Sequence, residues 1–350
     1  MTTKTSNKNL HKAKRAKNDE FYTLLNDVAN ELKHYRKELR GKVVLCNCDD
    51  PFESNFFKYL AANFNALGLK KLIATSYQGS PITGGQLSLF DIEGLKPECK
   101  EPYAVEINEV PDLDNDGAIS LDDVEYLLKH DKNVVTPLKD GDFRSDECVE
   151  LLKEADVVVT NPPFSLFREY VSQLIEFNKK FLIIGNTNAI AYRDIFKLLK
   201  EDKIRTGYTN FNVSMFFIVP DDWEKFHHID ENGKKIAKVA ALCWFTNLDV
   251  DRQKEKLILY KEYTPEEYPK YDNYDAINVS KVSDIPVNYD GVMGVPITFI
   301  GKHNPEQFEI LGIMNSGEEN VGIRIAGTKH GRPLVNGKEL YLRVLIRNKG

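Results

Sequence analysis

The chain has 350 residues, 42% of them hydrophobic and 29% charged, which is ordinary for a folded protein of one large or two medium domains. No window approaches 18 uninterrupted apolar residues, and no apolar segment follows the basic N-terminus, so we expect neither a membrane span nor a secretory signal. The five cysteines are scattered and odd in number, which argues against a disulfide framework and favours a reducing cytoplasm.

The net charge of −6 is unevenly distributed along the chain. Residues 91–131 contain 13 Asp/Glu against three Lys/Arg, so the remaining chain carries +4. The first 17 residues contain six Lys/Arg and no acid, and residues 320–350 contain seven Lys/Arg and one acid. Basic ends around an acidic segment allow phosphate contact, although a solvated surface with a disordered tail would show the same pattern.

Helices and strands alternate from the N-terminus. Residues 1–17 are predicted to form a disordered basic arm, and apolar residues at helical spacing predict a helix at Phe21–Leu39. The apolar run Val43–Cys48 predicts a buried strand, Phe56–Leu67 a second helix and Leu72–Thr75 the next strand. This order is a β-α-β unit, from which parallel sheets are built.

Residues 78–131 interrupt the alternation as an acidic insertion, in which Tyr103–Val110 predicts a strand and Leu121–Lys129 a helix. The alternation resumes with strands predicted at 134–138, 157–160 and 181–185 and helices at 146–153, 167–177 and 195–199. Two late strands are predicted at 215–219 and 241–245, and an antiparallel orientation is one option for them. The sequence therefore predicts an α/β fold with a doubly wound, mostly parallel sheet in residues 18–249. A smaller mixed α/β region is predicted at residues 250–350.

A run of β-branched residues leads directly into Asn161-Pro162-Pro163-Phe164, where a doubly wound sheet is expected to bind its ligand. Two prolines remove two N–H donors and leave the Asn161 side-chain oxygen and the Pro162 carbonyl as neighbouring acceptors. Two such acceptors suit an exocyclic amine, because accepting both protons makes the nitrogen a better nucleophile. Phe164 offers a flat face to a planar base, although a tight strand-to-helix turn would also explain the motif.

Several segments carry a family resemblance. They are AKNDEFYT, NCDDPFESNFFKY, DGDFRS, TNPPFSLFREYV, FLIIGN, YPKYDNYDAIN and YDGVMGVPITF, in this order over nearly the whole chain. Together they resemble the EcoRI-type family of DNA adenine-N6 methyltransferases. The resemblance implies a Rossmann-like class I methyltransferase that uses S-adenosylmethionine to methylate N6 of a flipped-out adenine.

The resemblance also implies double-stranded DNA as substrate, a short GAATTC-like site, and residues 250–350 as the target-recognition region. It implies a cytoplasmic monomer from a prokaryotic cell or phage, acting beside a partner restriction endonuclease or as an orphan methylase. The alternatives left open are an RNA adenine or a protein glutamine amide as acceptor, and a non-catalytic nucleic-acid-binding module.

The resemblance assigns roles to individual residues of this sequence. It places Asn161 and Pro162 on the target amine, with Pro163 completing the motif and Phe164 stacked on the base. Cofactor contacts fall on Phe21, Tyr22 and Thr23 at the methionine end, on Asp50 and Pro51 after the first strand, and on Asp142 and Phe143 beside the adenine. Phe216 or Phe217 corresponds, in a looser alignment, to the aromatic residue on the other face of the base.

Two positions depart from the pattern common among methyltransferases. The loop from Asp50 to Phe56 contains no glycine, and Ser76 and Tyr77 follow the next strand where an acidic residue for the cofactor ribose is usual. The EcoRI-type family shares the glycine-free loop, so we do not interpret it as loss of function.

A second motif lies in the acidic insertion. Asp112 to Asp123 fits the start of a calcium loop, with Asp112, Asp114 and Asp116 as candidate ligands. No helix is predicted before it and its last position is Asp rather than Glu, so a turn held by side-chain-to-backbone bonds is the alternative. Methyl transfer from a sulfonium needs no metal, and none is assigned to the catalytic site.

Overall fold

A computed structural model gives the fold of the protein. It describes residues 22–48, 50–51, 54–76, 102–112, 123–124, 126–127, 135–209, 211, 213–219, 223–231, 233–314 and 332–350. The predicted arm and most of the predicted insertion lie outside these residues. No helix among them is long and apolar enough to cross a membrane.

The chain divides into two compact units. Unit 1 comprises residues 1–186 and 213–248, and unit 2 comprises residues 187–212 and 249–350. The sequence divides the chain at residue 249 and places 187–212 in the catalytic region, whereas in the structure that segment belongs to unit 2. The functions predicted for the two regions stay predictions.

The regular elements are named in chain order. The strands are β1 (Tyr22–Thr23), β2 (Val43–Cys46), β3 (Lys71–Thr75), β4 (Tyr103–Ile107), β5 (Val135–Pro137), β6 (Val157–Thr160), β7 (Lys180–Asn186), β8 (Arg205–Thr206), β9 (Val213–Ile218), β10 (His228–Ile229), β11 (Lys235–Thr246), β12 (Ile277–Asn278), β13 (Met293–Pro296), β14 (Phe308–Ile313), β15 (Leu334–Val335), β16 (Lys338–Glu339) and β17 (Arg343–Asn348). The helices are α1 (Leu25–Leu32), α2 (Arg36–Leu39), α3 (Asn55–Ala62), α4 (Phe64–Leu67), α5 (Asp146–Glu154), α6 (Phe167–Glu176) and α7 (Arg193–Lys200).

Unit 1 is built on a sheet with the strand order β1-β9-β11-β7-β6-β2-β3-β4-β5. The pairs β7–β6, β6–β2 and β2–β3 are parallel, and antiparallel pairs flank them on both sides. Six of these nine strands run in one direction, and β1, β4 and β11 run in the other. The doubly wound, mostly parallel α/β fold predicted from the sequence is confirmed.

The central strands are continuous apolar runs because they are buried on both faces. Every residue of β2 and β6 is buried. Helix α6 buries Phe167, Tyr170, Val171 and Leu174, which lie on one face at helical spacing. Gly185 lets this helix lie close to β7, since an added Cβ would lie only 2.5 Å from Cε2 of Phe167.

Both predicted N-terminal helices are interrupted. The region of the first predicted helix contains two separate helices, α1 and α2, with a 3-10 turn at Lys33–Tyr35 between them. The second separates into α3 and α4 at Asn63, whose side-chain nitrogen donates to the Tyr59 carbonyl at 2.8 Å. Such local side-chain-to-backbone bonds compete with helix propagation.

Strand β4 lies where the sequence predicts a strand, but its place in the sheet is unexpected. It pairs antiparallel with β3 on one side and with β5 on the other. β4 therefore lies between β3 and β5, which run in the same direction. Residues 123–124 and 126–127 are helical, inside the predicted helix.

Strand β11 is longer than predicted and forms a ribbon with β9. Its last pair with the end of β7 is Leu242 with Asn186, so Lys235–Ala241 continue past that end. β9 pairs with this extension, from Ile236 to Leu242. At about 3.3 Å per residue the ribbon reaches roughly 20 Å beyond the carboxyl end of β7.

Unit 2 contains a four-stranded sheet of order β12-β13-β17-β14 and a hairpin of β15 and β16. β12 and β13 are parallel, and the other pairs of this sheet are antiparallel. Helix α7 belongs to the same unit. One core cluster contains Tyr271, Ala276, Met314 and Leu345, so unit 2 has an apolar core of its own.

Candidate functional site

The parallel strands of unit 1 end at one edge of the sheet, here called the carboxyl edge. Polar residues occupy it: Asn47 follows β2, Ser76 follows β3, Asn161 follows β6, and Asn186 ends β7. Open α/β sheets bind their ligands at this edge. Those sequence-predicted residues that the structure describes fall on this edge and on the segments that adjoin it.

The Asn161–Phe164 motif forms the turn between β6 and α6. Asn161 is 6% exposed and its Oδ1 is shielded from solvent, whereas Pro163 and Phe164 are half-buried. The Pro163 carbonyl accepts from the Leu166 N–H at 3.0 Å, so the turn itself uses that oxygen. Among the described residues no backbone N–H donates to the Pro162 carbonyl. The motif therefore presents a buried amide beside a carbonyl that the turn does not use.

Asp142 and Phe143 lie in the loop between β5 and α5. Arg144 pairs with both Asp142 oxygens, with Nε 2.8 Å from Oδ1 and a terminal nitrogen 2.6 Å from Oδ2. These hydrogen bonds are the main reason that the pKa of the Arg144 guanidinium is raised. An ionised carboxylate offers about four acceptor sites, so this pairing is compatible with binding a ligand amine.

Tyr170 on α6 contacts both Phe143, in the loop before α5, and Asn47, at the end of β2. Its ring packs edge-to-face on Phe143, with the centroids 5.0 Å apart, and its hydroxyl donates to Oδ1 of Asn47. Gln173, one turn later, donates to the Phe143 carbonyl at 3.1 Å. The helix that begins after the Asn161 motif therefore also positions Phe143 and Asn47.

Asp50 and Pro51, in the loop after β2, are both buried. The Tyr103 hydroxyl lies 3.0 and 3.1 Å from the two oxygens of Asp50. Because Tyr103 begins β4, the additional strand of the sheet stabilises this carboxylate directly.

The N-terminal segment is held against the sheet. Tyr22 and Thr23 pair with Ile218 and Phe217 of β9, and Asn55 donates to the Thr23 carbonyl at 2.7 Å. Thr23 is 2% exposed. Phe21 lies outside the described residues.

The two phenylalanines considered for the second face of the base differ in environment. Phe217 is fully buried, whereas Phe216 is half-buried on the ribbon of β9 and β11. The ring centroid of Phe216 lies 5.3 Å from that of His227 and 6.3 Å from that of His228, and Lys238 Nζ lies 5.7 Å from it. The accessible candidate is therefore Phe216.

Sequence reasoning missed Asn47, Tyr103 and Tyr170. A polar residue directly after the apolar run of β2 could have indicated Asn47. The tyrosines carry no such signal, since each occupies a position that an apolar core residue would fill equally well.

The calcium-loop hypothesis stays a prediction. Asp112 and Asp123 are described, but Asp114 and Asp116 lie outside the described residues. Within the described part of the chain no three His, Cys, Asp or Glu side chains are grouped as a metal site.

Comparison with known proteins shows the family. The family described as adenine-specific methyltransferase EcoRI matches residues 9–349. The chain is 46% identical to the Type II methyltransferase M.EcoRI of Escherichia coli, over 100% of this chain and 99% of that protein. It is 37% identical to the Type II methyltransferase M.MpnI of Mycoplasma pneumoniae and 36% identical to M.MgeORF184P of Mycoplasma genitalium, each over 97% of this chain and 98% of the relative.

These matches extend over the whole chain and agree with the Rossmann-like sheet of unit 1. An enzyme of this kind acts on DNA and needs a methyl donor. The chain belongs to the EcoRI family of adenine-specific methyltransferases, and it is a DNA methyltransferase of the restriction–modification type.

Proposed function

We propose that the enzyme transfers the methyl group of S-adenosylmethionine to N6 of an adenine flipped out of double-stranded DNA. The position of Asn161 supports this proposal most directly. It is a buried amide at the carboxyl edge, followed by a carbonyl that no described backbone N–H uses. This arrangement suits the two N–H donors of an exocyclic amine.

The proposed chemistry depends on accepting protons and on alignment. The Asn161 oxygen and the Pro162 carbonyl accept the two N6 protons, which draws the nitrogen lone pair out of conjugation with the ring. S-adenosylmethionine supplies a methyl group activated by its sulfonium. Phe164 stacks on one face of the base and Phe216 covers the other, which holds the nitrogen in line for transfer. As the new N–C bond forms and the S–C bond breaks, the amine becomes cationic and releases a proton to water.

Residues near the carboxyl edge fit this cofactor. Nδ2 of Asn47 and Oγ1 of Thr23 are buried polar atoms with no hydrogen-bond partner among the described residues. Buried polar atoms are rarely left unsatisfied, so we infer that a ligand completes them. The proposed cofactor residues are Phe21, Tyr22 and Thr23 at the methionine end, Asp50 and Pro51 in the loop after β2, and Asp142 and Phe143 at the adenine.

Unit 2 is proposed to read the DNA sequence, with GAATTC as the first site to test. The enzyme is proposed to act as a monomer in the cytoplasm, beside a partner restriction endonuclease or as an orphan methylase. Several arginines and lysines of unit 2 are exposed or half-buried, which fits contact with phosphates.

Methylation of unmodified genomic DNA, read by single-molecule sequencing, tests the reaction and the site together. Wild-type protein should place N6-methyladenine in one short motif. Asn161→Ala should lower kcat about 100- to 1,000-fold, as expected when one preorganised hydrogen-bonding group is removed.

Asn161→Asp is the matched control because it keeps an acceptor oxygen at the same position. It should retain far more activity than Asn161→Ala. Methylation by Asn161→Ala at the wild-type rate would contradict the proposed site, and the absence of modified adenine with wild-type protein would contradict the proposed reaction.

A further inference from the structure

Unit 2 contains a short segment with unusual exposure. Among the described large hydrophobic residues, Ile258 is 89% exposed and Tyr260 is 67% exposed, and only Tyr341 lies between them in exposure, at 77%. Single exposed hydrophobic side chains are common on protein surfaces and need no explanation. Ile258 and Tyr260, however, are two of the three most exposed of these residues and lie only two positions apart, so their exposure calls for an explanation.

The exposure pattern of this segment indicates an extended backbone. Exposure alternates from Lys256 to Tyr263, with residues 256, 258, 260 and 262 exposed and residues 257, 259, 261 and 263 half-buried. A period of two residues is that of an extended strand, in which alternate side chains share a face. Ile258 and Tyr260 therefore project from the same side.

Both ends of the segment are fixed. At one end Leu257 and Gln307 exchange two hydrogen bonds, from the Leu257 N–H to Oε1 at 2.7 Å and from Nε2 to the Leu257 carbonyl at 2.9 Å. At the other end the Tyr263 N–H donates to Asn288 Oδ1 at 2.7 Å, and the Lys261 carbonyl accepts from Val287 at 2.9 Å. Ile258 and Tyr260 are thus held in place by ordered backbone on either side.

We propose that Ile258 and Tyr260 form an apolar wedge that inserts between stacked bases of the bound DNA. The inference rests on the proposed function. Flipping a base unstacks the duplex at the target, and proteins that unstack base steps insert aliphatic side chains such as Ile. A tyrosine ring can stack on the face of a base that has lost its neighbour.

The charge and the small size of this apolar patch favour DNA bases over other binding partners. The exposed residues 256, 258, 260 and 262 comprise one lysine, one glutamate, Ile258 and Tyr260, so their net charge is zero and phosphate attraction does not favour this row. The apolar side chains are what it offers to DNA. Two side chains also offer far less than the roughly 800 Å² per partner of a stable protein interface, which argues against a second copy of the chain.

The test uses the full-length double variant Ile258→Ala/Tyr260→Ala and a duplex carrying the site that wild-type enzyme methylates. Affinity for this duplex should fall about 10- to 100-fold, as expected for loss of base stacking. The slope of log affinity against log salt should not change, because no phosphate contact is lost. Binding of S-adenosylmethionine should equal that of wild-type protein.

A second duplex distinguishes insertion between bases from general contact with the DNA surface. With a mismatch at the target adenine much of the unstacking is already present, so the defect of the double variant should shrink. Tyr260→Phe keeps the ring and should behave like wild-type. Ile229→Ala is the matched control in unit 1, since Ile229 is also exposed, at 55%.

A double variant that binds both duplexes like wild-type overturns the wedge, and so does a loss of affinity that appears as a changed salt slope. Wild-type methylation is measured in the same reactions. If wild-type protein methylates no site in genomic DNA, the proposed function falls together with the wedge. If wild-type protein is active and the variant is unaffected, the wedge alone falls.

Discussion

At the scale of single residues, the contact between Tyr103 and Asp50 gives a direct test of the proposed cofactor loop. Tyr103→Phe removes the hydroxyl that lies 3.0 and 3.1 Å from the two carboxylate oxygens and keeps the buried ring. A hydrogen bond to a charged group contributes about 1.5–3 kcal/mol, so the free energy of unfolding should fall by about that amount in urea titrations. The KM for S-adenosylmethionine should rise about tenfold if Asp50 binds the cofactor.

Tyr341→Phe is the control, because the Tyr341 side chain is 77% exposed and its loss of a hydroxyl should change stability by less than about 0.5 kcal/mol. A Tyr103→Phe variant with reduced stability and an unchanged KM would remove Asp50 from the cofactor site and leave it a structural role.

The candidate site residues that the sequence proposes belong to continuous motifs. Asn161–Phe164 and Asp142–Phe143 each follow a strand, and their side-chain chemistry can be inferred locally. Tyr103 and Tyr170 could not be predicted, because their partners Asp50 and Asn47 lie 53 and 123 residues away along the chain. Only the fold brings these residues together.

At the scale of elements, the ribbon of β9 and β11 contains a bulge between Val239 and Leu242. Ala241 within it has φ of +61°, a left-handed conformation that costs an L-residue roughly 1–2 kcal/mol. Ala241→Gly should therefore raise the free energy of unfolding by up to about 1 kcal/mol, after the greater flexibility of glycine in the unfolded chain is taken into account. Ala241→Val should lower it, since a β-branched residue is poorly accommodated there.

Urea titration of both variants measures these changes, with Ala240→Gly, at the exposed neighbouring position, as the control. A glycine at 241 that destabilised the protein by as much as the glycine at 240 would show that the left-handed conformation carries no strain.

The same ribbon shows what patterning can and cannot predict. Continuous apolar runs predict the buried parallel strands well, as at β2, β6 and β7. The first half of β11, Lys235–Ala241, extends past the end of β7 and shows neither a continuous apolar run nor a regular alternation of polar and apolar residues, so patterning does not predict it. The break between α3 and α4 coincides with the hydrogen bond from the Asn63 side chain to the Tyr59 carbonyl, which helical spacing does not register.

At the scale of the whole molecule, the two units are proposed to bind different ligands, and two glycines test this division. An added Cβ at Gly294 would lie 2.7 Å from Cε2 of Tyr271, whose buried hydroxyl lies 3.0 Å from Asn278 Oδ1 and 3.1 Å from the Gly294 carbonyl. Burial raises the pKa of this hydroxyl, so it stays a neutral donor in the core of unit 2. An added Cβ at Gly185 would meet Phe167 and Phe245 in the core of unit 1.

Gly294→Ala should cost about 1–3 kcal/mol of stability by overpacking and should weaken binding of the specific duplex, while the affinity for S-adenosylmethionine stays within about twofold of wild-type. Gly185→Ala should cost a similar amount but should weaken cofactor binding, because Phe167 begins the helix that positions Asn47 and Phe143. Calorimetry with the cofactor and fluorescence anisotropy with the duplex, both performed well below the unfolding temperature of each variant, distinguish the two patterns. Loss of cofactor binding in Gly294→Ala would contradict the division, because the cofactor would then depend on the packing of unit 2 as well as on the carboxyl edge of unit 1.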